Sequence, residues 1–548
     1  MPTTPSETSG PPALGVWLPS DAPPAFAPEA VAPHAAMVRR PVHVLWHPQV
    51  RVFGVGLGGR VAVPAVGEPD GLPLVGTLPP LYPEWLGDPG FRDAHGVRFA
   101  YVAGEMANGI ATVEMVLAMA RARMLSFFGA AGLPLARIES ALARLRATLG
   151  PDGPAWGANL IHSPQDGALE DATVDLYLRH DVRRVSASAF MALRPAVVRF
   201  AFAGVRTGPA GRPVRPRHVM AKVSRPEVAA QFLAPPPPDM LDALVRQGAL
   251  SPTEAGLAAR LPVAEDVTVE ADSGGHTDNR PLVALLPAIA ALRDDLAARH
   301  GYVSLPRVGC AGGIGTPHAV AAAFAMGAAY VLTGSINQSA VESGLSLEGK
   351  RMLAAAGPAD VAMAPAADMF ELGVRVQVLK RGTLFAARAT RLYELYRECR
   401  GLEGIPPLER ERLEREVFRA PLEDVWAQAR QHIAAHDLER AARGDQDPKH
   451  RMAMVFRWYL GNASRWAIAG EPTRQADYQI WCGPAMGAFN AWVDGSFLAD
   501  PARRDVVQIA LNLLEGATVV TRAQQLRTHG VALPPAAFTF RPRPLRAE

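Results

Sequence analysis

The 548-residue sequence predicts an α/β fold, a (β/α)8 or TIM barrel with lid insertions and a mostly helical C-terminal subdomain. Three observations carry the barrel. From about Val97, apolar strand-like runs alternate with helical segments eight times. Most of those runs are continuous rather than alternating, the pattern of parallel strands buried on both faces. Eight such units close a barrel, whereas six or seven would make an open doubly wound sheet, the competing architecture.

Taken in order, residues 1–90 form an N-terminal extension. Positions 1–40 read as a flexible lead-in. Positions 41–90 carry short β-like runs at 42–45 and 60–63, broken by Pro and Gly. The barrel spans 91–375. Its strands are expected at 97–104, 125–129, 155–162, 184–190, 218–224, 266–273, 306–312 and 329–335, with helices such as 110–122, 136–149 and 281–300 between them. Two insertions, 191–217 and 234–262, interrupt this rhythm. The second begins at Pro235-Pro236-Pro237-Pro238 and is expected on the loop side, as a lid. Positions 376–548 read as a helical substrate-side subdomain, with charged amphipathic helices at 392–400, 408–418, 422–440 and 451–460 and an apolar helix at 506–516.

Composition narrows the function. There are 56 basic and 53 acidic residues, for a net charge of +3. This gives no clustered basic face for nucleic acid. Cys310, Cys399 and Cys482 lie far apart without a CxxC, so neither a disulfide framework nor a zinc site is indicated, and a reducing cytoplasm fits. The N-terminus lacks a basic start before an apolar core, as a signal peptide would need. The most apolar run, 319–332, is too short to span a bilayer. A cytoplasmic protein with no membrane, metal or nucleic-acid partner is therefore expected.

Several stretches could carry chemistry. Gly309-Cys310-Ala311-Gly312-Gly313-Ile314-Gly315-Thr316-Pro317 follows an apolar strand and opens a helix, with Pro317 suited to its first turn. Glycines let backbone N–H groups approach a phosphate, and a helix N-terminus favours the charge. Alone, this stretch reads as a tight turn. Gly334 and Ser335 end the next strand, and phosphate sites in such barrels form from the loops after strands seven and eight. The two glycine turns together therefore point to a phosphate.

His276 follows Gly274 and Gly275 after the sixth strand. An imidazole there can transfer a proton or hydrogen-bond a carbonyl, or satisfy loop carbonyls as a structural histidine. Met106, Ala107 and Asn108, after the first strand, could line the edge of a flat ring. Asn159, in the third strand, needs a ligand or a buried partner. Lys222, in the fifth, needs an anion: a ligand, or a carboxylate such as Glu270. The aromatic stretches 391–397 and 456–459 read as core packing, and Asp447-Pro448-Lys449-His450 as a helix start. Gly54, Gly56 and Gly59 match GxGxxG but precede strand-like Val61-Ala62-Val63-Pro64 instead of a helix, so the dinucleotide reading fails. No GxSxG nucleophile elbow occurs.

These motifs resemble the nitronate monooxygenase (2-nitropropane dioxygenase-like) flavoproteins. The stretches 101–110, 160–164, 185–190, 272–281, 312–317, 367–373, 447–451 and 477–480 resemble, more narrowly, the trans-acting enoyl reductases of polyunsaturated fatty acid and trans-acyltransferase polyketide synthases. The resemblance covers roughly residues 75–520. It implies tight, non-covalent FMN, NADPH as electron donor, and a 2-enoyl thioester carried by acyl carrier protein as substrate. It implies that Gly312, Gly313, Gly334 and Ser335, with Ile314 beside them, hold the phosphate. Met106, Ala107, Asn108, Asn159, Lys222, Gly274 and Gly275 would surround the ring and ribityl chain, and His276 would be catalytic. Cys310 departs from the small residue expected there and reads as a small hydrophobe. An acidic carrier protein calls for a basic rim, for which Arg212, Arg215 and Arg217 are candidates. Two rival readings are a nitronate monooxygenase and a non-catalytic docking subunit of a synthase. A homodimer is left open.

Overall fold

The computed structural model describes residues 10–20, 22–63, 71–163, 167–435 and 437–546. The first part of the lead-in, Pro64 and Pro164 lie outside the described residues.

Eight parallel strands close a barrel: β1 Tyr101–Ala103, β2 Leu125–Phe128, β3 Gly157–Ile161, β4 Arg184–Ser188, β5 His218–Val223, β6 Asp266–Glu270, β7 Arg307–Ala311 and β8 Val331–Thr333. Closure comes from β8 against β1, with Val331, Leu332 and Thr333 opposite Tyr101, Val102 and Ala103. Each strand lies inside a window that the apolar runs predict. The barrel is filled by Val102, Phe127, Met220, Tyr330 and Leu332. Interior hydroxyls pair with one another: Tyr101 Oη lies 2.6 Å from Thr333 Oγ1, and Tyr330 Oη 2.7 Å from Thr268 Oγ1.

An ion network seals the N-terminal end of the strands. Arg307 donates to Asp266 from Nε (2.6 Å) and Nη2 (2.8 Å), and His95 Nε2 lies 2.9 Å from the same carboxylate. Burial alone would raise the Asp266 carboxyl; His95 and Arg307 outweigh it and hold it well below the usual carboxylate range. With its folded value depressed, this carboxylate stabilises the fold fully at neutral pH. The contribution is lost only as pH falls through the ordinary carboxylate value toward the folded one. Replacing Asp266 by alanine strands two buried partners, and urea titration at neutral pH is expected to show a loss of about 3–5 kcal/mol.

The two insertions are not lids. Positions 234–262 follow the outer helix Pro226–Leu233 and lead into β6, and the hairpin of 191–217 follows the helix Pro195–Phe202 and leads into β5, so chain direction places both at the N-terminal end of the barrel. Positions 191–217 hold the helix Pro195–Phe202 and a two-residue hairpin, Arg206–Thr207 with Pro213–Val214. Positions 234–262 hold the helices Pro238–Arg246 and Pro252–Ala258, which pack on the helix Pro195–Phe202. The basic rim fails for the same reason. Arg215 donates to Pro262 and Val263 carbonyls, both at 2.8 Å, and lies over the Phe202 ring. Arg217 donates to Ala203 O at 2.6 Å. Arg212 is exposed at that same end.

The lead-in is structured from Gly15 onward. Strands Gly15–Leu18, Val42–His47, Val52–Leu57, Arg60–Ala62 and Leu72–Leu78 form a five-stranded antiparallel sheet. Trp17, fully buried, anchors it. The helix Pro28–Ala36 also falls where a flexible chain was expected.

The helices α1 Phe385–Glu398, α2 Leu422–Ala434, α3 Leu438–Gln446 and α4 Pro448–Ala469 build a second core around Phe370, Leu392, Trp426, Phe456 and Tyr459. Asp447 caps α4 by accepting from Lys449 N and His450 N, which explains the Asp-Pro-Lys-His stretch. These helices form the roof over the C-terminal ends of the strands. The last long helix, α5 Val506–Thr528, returns to the barrel and the N-terminal sheet. A small antiparallel sheet of Gly275–His276, Arg375–Leu379 and Val361–Pro365 joins barrel to roof, where the composition after Arg375 predicts helix alone. Among the described residues, no helix is long and apolar enough to cross a membrane.

Candidate active site

A cavity of about 890 Å³ lies between the C-terminal ends of the strands and the roof. The residues that the resemblance assigns to flavin binding and catalysis line it: Met106, Ala107 and Asn108 after β1, Asn159 on β3, Lys222 on β5, Gly274, Gly275 and His276 after β6, Gly312, Gly313 and Ile314 after β7, and Gly334 and Ser335 after β8.

Among the glycines after β7 and β8, Gly312 is closely packed, whereas Gly313 and Gly334 face open space. Gly312 has φ +88°, and a Cβ there would meet the Ala271 and Asp272 backbone at 2.8–3.0 Å, so a larger residue is excluded twice over. At Gly313 and Gly334 a Cβ would have no atom within 4 Å. Ser335 Oγ accepts from Gly483 N at 3.0 Å, tying the β8 loop to the C-terminal region. Cys310, one turn away, is fully buried, and burial pushes its thiol up to about 12, the behaviour of a small hydrophobe.

The protein itself answers the charge requirement of Lys222. Its Nζ lies 3.2 Å from Glu105 Oε1 and 3.0 Å from Glu270 Oε1. Burial would lower its pKa, but the two carboxylates outweigh burial and raise it above the ordinary lysine value. Glu105 Oε2 is buried without a hydrogen-bond partner, and Glu105 lines the cavity. Replacing Lys222 by methionine leaves two buried like charges together. The expected loss of stability is about 3–5 kcal/mol by thermal or urea unfolding. Asn159 spends both amide hydrogens on the next strand, donating to Ser186 O (3.1 Å) and Ser188 Oγ (2.8 Å). Its Oδ1 remains for a ligand donor.

His276 is held by long-range contacts. Its strand pairs with Val376 and Gln377. Gln377 Nε2 donates to Asp272 Oδ1 (2.6 Å) and Ser273 O (2.8 Å), stapling the histidine loop. His276 Nε2 lies 3.1 Å from Asp368 Oδ1, which also accepts from Met369 N at 3.1 Å. Burial would lower the imidazole pKa; the hydrogen bond and charge of Asp368, then the charge of Glu270, outweigh it and leave the pKa above the ordinary histidine value. The site therefore favours an imidazolium whose Nδ1 is free to face a ligand.

Asp368 and Glu105 fall in the stretches 367–373 and 101–110 that carry the resemblance, but the sequence reading gave neither of them a role. It also missed what the roof contributes, Arg440, Arg457, Trp458 and Arg465 among others, and Trp481 beyond it. The aromatic run 456–459 divides by helical phase. Phe456 and Tyr459 are fully buried, as core packing requires, whereas Arg457 and Trp458 line the cavity. A second histidine–carboxylate pair also lines it: His162 Nδ1 lies 2.7 Å from Glu170 Oε1, with the His162 ring stacked on Phe190. Among the described residues, no cluster of His, Cys, Asp or Glu could hold a metal.

With this geometry in place, one solved structure decides the family. The enoyl reductase domain of MlnA, from the macrolactin biosynthesis cluster of Bacillus amyloliquefaciens, superposes with a TM-score of 0.77 at 36% identity, covering 81% of this chain and 99% of that domain. The chain belongs to this enoyl reductase family. Its curated relatives include polyketide biosynthesis proteins and a polyunsaturated fatty acid synthase subunit. The polyketide biosynthesis protein ThaF of Burkholderia thailandensis is 47% identical over 81% of this chain and 38% of its own length. A polyunsaturated fatty acid synthase component of Thraustochytrium sp. is 44% identical over 83% and 31%, and the polyketide biosynthesis protein PksE of Bacillus subtilis 43% over 80% and 56%. The chain thus spans 31–56% of the length of these three relatives. Residues 399–478 match the family described as [acyl-carrier-protein] S-malonyltransferase, inserted helical domain. That segment contains α2, α3 and α4 of the roof.

Proposed function

We propose that this chain is an FMN-dependent enoyl reductase. It acts in trans, in the cytoplasm, on 2-enoyl thioesters carried by acyl carrier protein, with NADPH as electron donor. The reading is carried by one observation: a glycine cradle and a carboxylate-charged histidine share one cavity in a barrel of an enoyl reductase family.

The residues present fit FMN. Gly312, Gly313, Ile314, Gly334 and Ser335 would hold its phosphate, because the two open glycines leave space for it. Met106, Ala107, Asn108, Asn159, Gly274 and Gly275 would border the ring and ribityl chain. The orphaned Glu105 Oε2 and Asn159 Oδ1 supply acceptors for its donors. Bound FMN supplies hydride transfer to an activated double bond.

The protein contributes positioning and a proton. His276, charged through Asp368, donates from Nδ1 toward the thioester carbonyl or delivers the proton to Cα. Lys222 fixes the paired carboxylates of Glu105 and Glu270 in the floor. The roof covers the ends of the strands where the reaction would take place.

Steady-state assay tests the reading. NADPH consumption is expected to depend on a 2-enoyl pantetheine thioester, with the saturated thioester as product. Turnover confined to nitroalkane and oxygen would make the protein a nitronate monooxygenase. Failure to bind added FMN would make it a docking subunit.

A further inference from the structure

Floor and roof of the cavity carry opposite charge. The lining carboxylates, Glu105, Glu170, Glu270, Asp272 and Asp368, belong to the strands, loops and outer helices of the barrel and to the segment joining the strands Val361–Pro365 and Arg375–Leu379. The ionisable side chains that α2, α3 and α4 contribute to the lining are all basic: His432, Arg440, Arg457 and Arg465.

These cations are not equally satisfied. Arg457 Nη1 lies 3.2 Å from both carboxylate oxygens of Glu371. Arg440 is half-buried, and its guanidinium makes one weak contact, Nη2 to Met454 Sδ at 3.5 Å, with no carboxylate at ion-pair distance among the described residues. Burial and then the nearby Arg457 charge lower its pKa, and the smaller opposing pull of Glu371 and Asp437 does not restore it. Arg465, exposed about two helical turns beyond Arg457 on α4, likewise makes no ion pair among the described residues. A guanidinium that is partly desolvated, next to another cation and with no carboxylate at ion-pair distance, is costly until an anion arrives. Its planar fork suits phosphate oxygens in particular.

We propose that Arg440 and Arg465 form a phosphate-binding subsite under the roof, separate from the glycine cradle. It takes the phosphate ester of an organic arm whose other end reaches the His276 floor. The assignment rests on the enoyl reductase reading only in naming the arms available. The 4′-phosphopantetheine thioester carries such a phosphate, and so does NADPH at its adenosine 2′ position. Arg457, held by Glu371, sets the positive potential around the subsite but is not a ligand in this proposal.

Calorimetric binding to the FMN-loaded protein tests it without turnover. The probes are two pairs differing by one phosphate: 4′-phosphopantetheine with pantetheine, and NADP+ with NAD+. Wild type is expected to bind the phosphorylated member of at least one pair about tenfold more tightly, as one charge-assisted hydrogen bond would give. Arg440→Gln and Arg465→Gln are each expected to erase most of that preference. Loss in the pantetheine pair assigns the subsite to the acyl arm, and loss in the nucleotide pair to the electron donor. No preference in wild type for either pair, or preferences unchanged in both variants, overturns the proposal. Arg465 is exposed, so its variant keeps the test valid if Arg440→Gln unfolds. Because binding alone is read, a protein that binds phosphate but reduces no enoyl thioester would refute the function and leave the subsite standing.

Discussion

Alanine at His276 is expected to lower kcat/KM for a 2-enoyl thioester by roughly 10²–10⁴-fold, the range for losing a positioned acid. Flavin content should stay at the wild-type level, because the residue lies beyond the glycine cradle in the proposed arrangement. The charge state gives a sharper handle. The imidazole pKa is raised by Asp368 against the pull of burial. The imidazolium therefore persists above the ordinary histidine range, and activity that needs it falls as pH rises through the raised value. In Asp368→Asn, burial is left without its main opponent. The alkaline limb of the kcat/KM profile should then move to lower pH, whereas a merely structural role for Asp368 would lower the whole profile without moving its limb. Unchanged turnover in His276→Ala would remove this residue from the mechanism.

The second large effect is expected at Gly334. Its Cβ position is open and its φ of −122° suits any residue. Gly334→Val should therefore fold normally while filling the space assigned to the phosphate. FMN affinity is expected to drop roughly 100-fold, the equivalent of losing two charge-assisted hydrogen bonds. Gly312→Ala is the contrasting variant. Its φ of +88° and contacts below 3 Å with the Ala271–Asp272 backbone put the damage into the fold itself, at about 1–3 kcal/mol. Flavin absorbance after gel filtration, read beside the melting temperature, separates the two. Wild-type FMN affinity in Gly334→Val would place the phosphate elsewhere.

Strands and cavity-lining loops were legible because their signals are local. A parallel strand buried on both faces writes itself as one apolar run, and the end of each run places the loop that follows it. The position of the insertions depends on chain direction through the barrel. Hydrophobic pattern carries none of that information, so 234–262 was expected on the wrong end. Asp368 lies 92 positions from His276, and the pair exists only because the sheet built on Arg375–Leu379 reaches back to the β6 loop. A two-residue strand such as Gly275–His276 has no period to detect, although Val376 and Val378 alternating with Gln377 in its partner do. For Lys222 the sequence stated the need for an anion, and the fold chose Glu105 and Glu270 to meet it. In the 456–459 run, helical phase turned Arg457 and Trp458 to the cavity and their neighbours to the core.

The most direct test is a single half-reaction. The FMN-loaded protein is reduced with one equivalent of NADPH under strict anaerobiosis and then mixed with a crotonyl thioester of 4′-phosphopantetheine. Return of oxidised-flavin absorbance, with one butyryl thioester formed per flavin, is the predicted result. A flavin that stays reduced with the thioester, yet recovers when a nitroalkane and oxygen are admitted, would contradict an enoyl reductase.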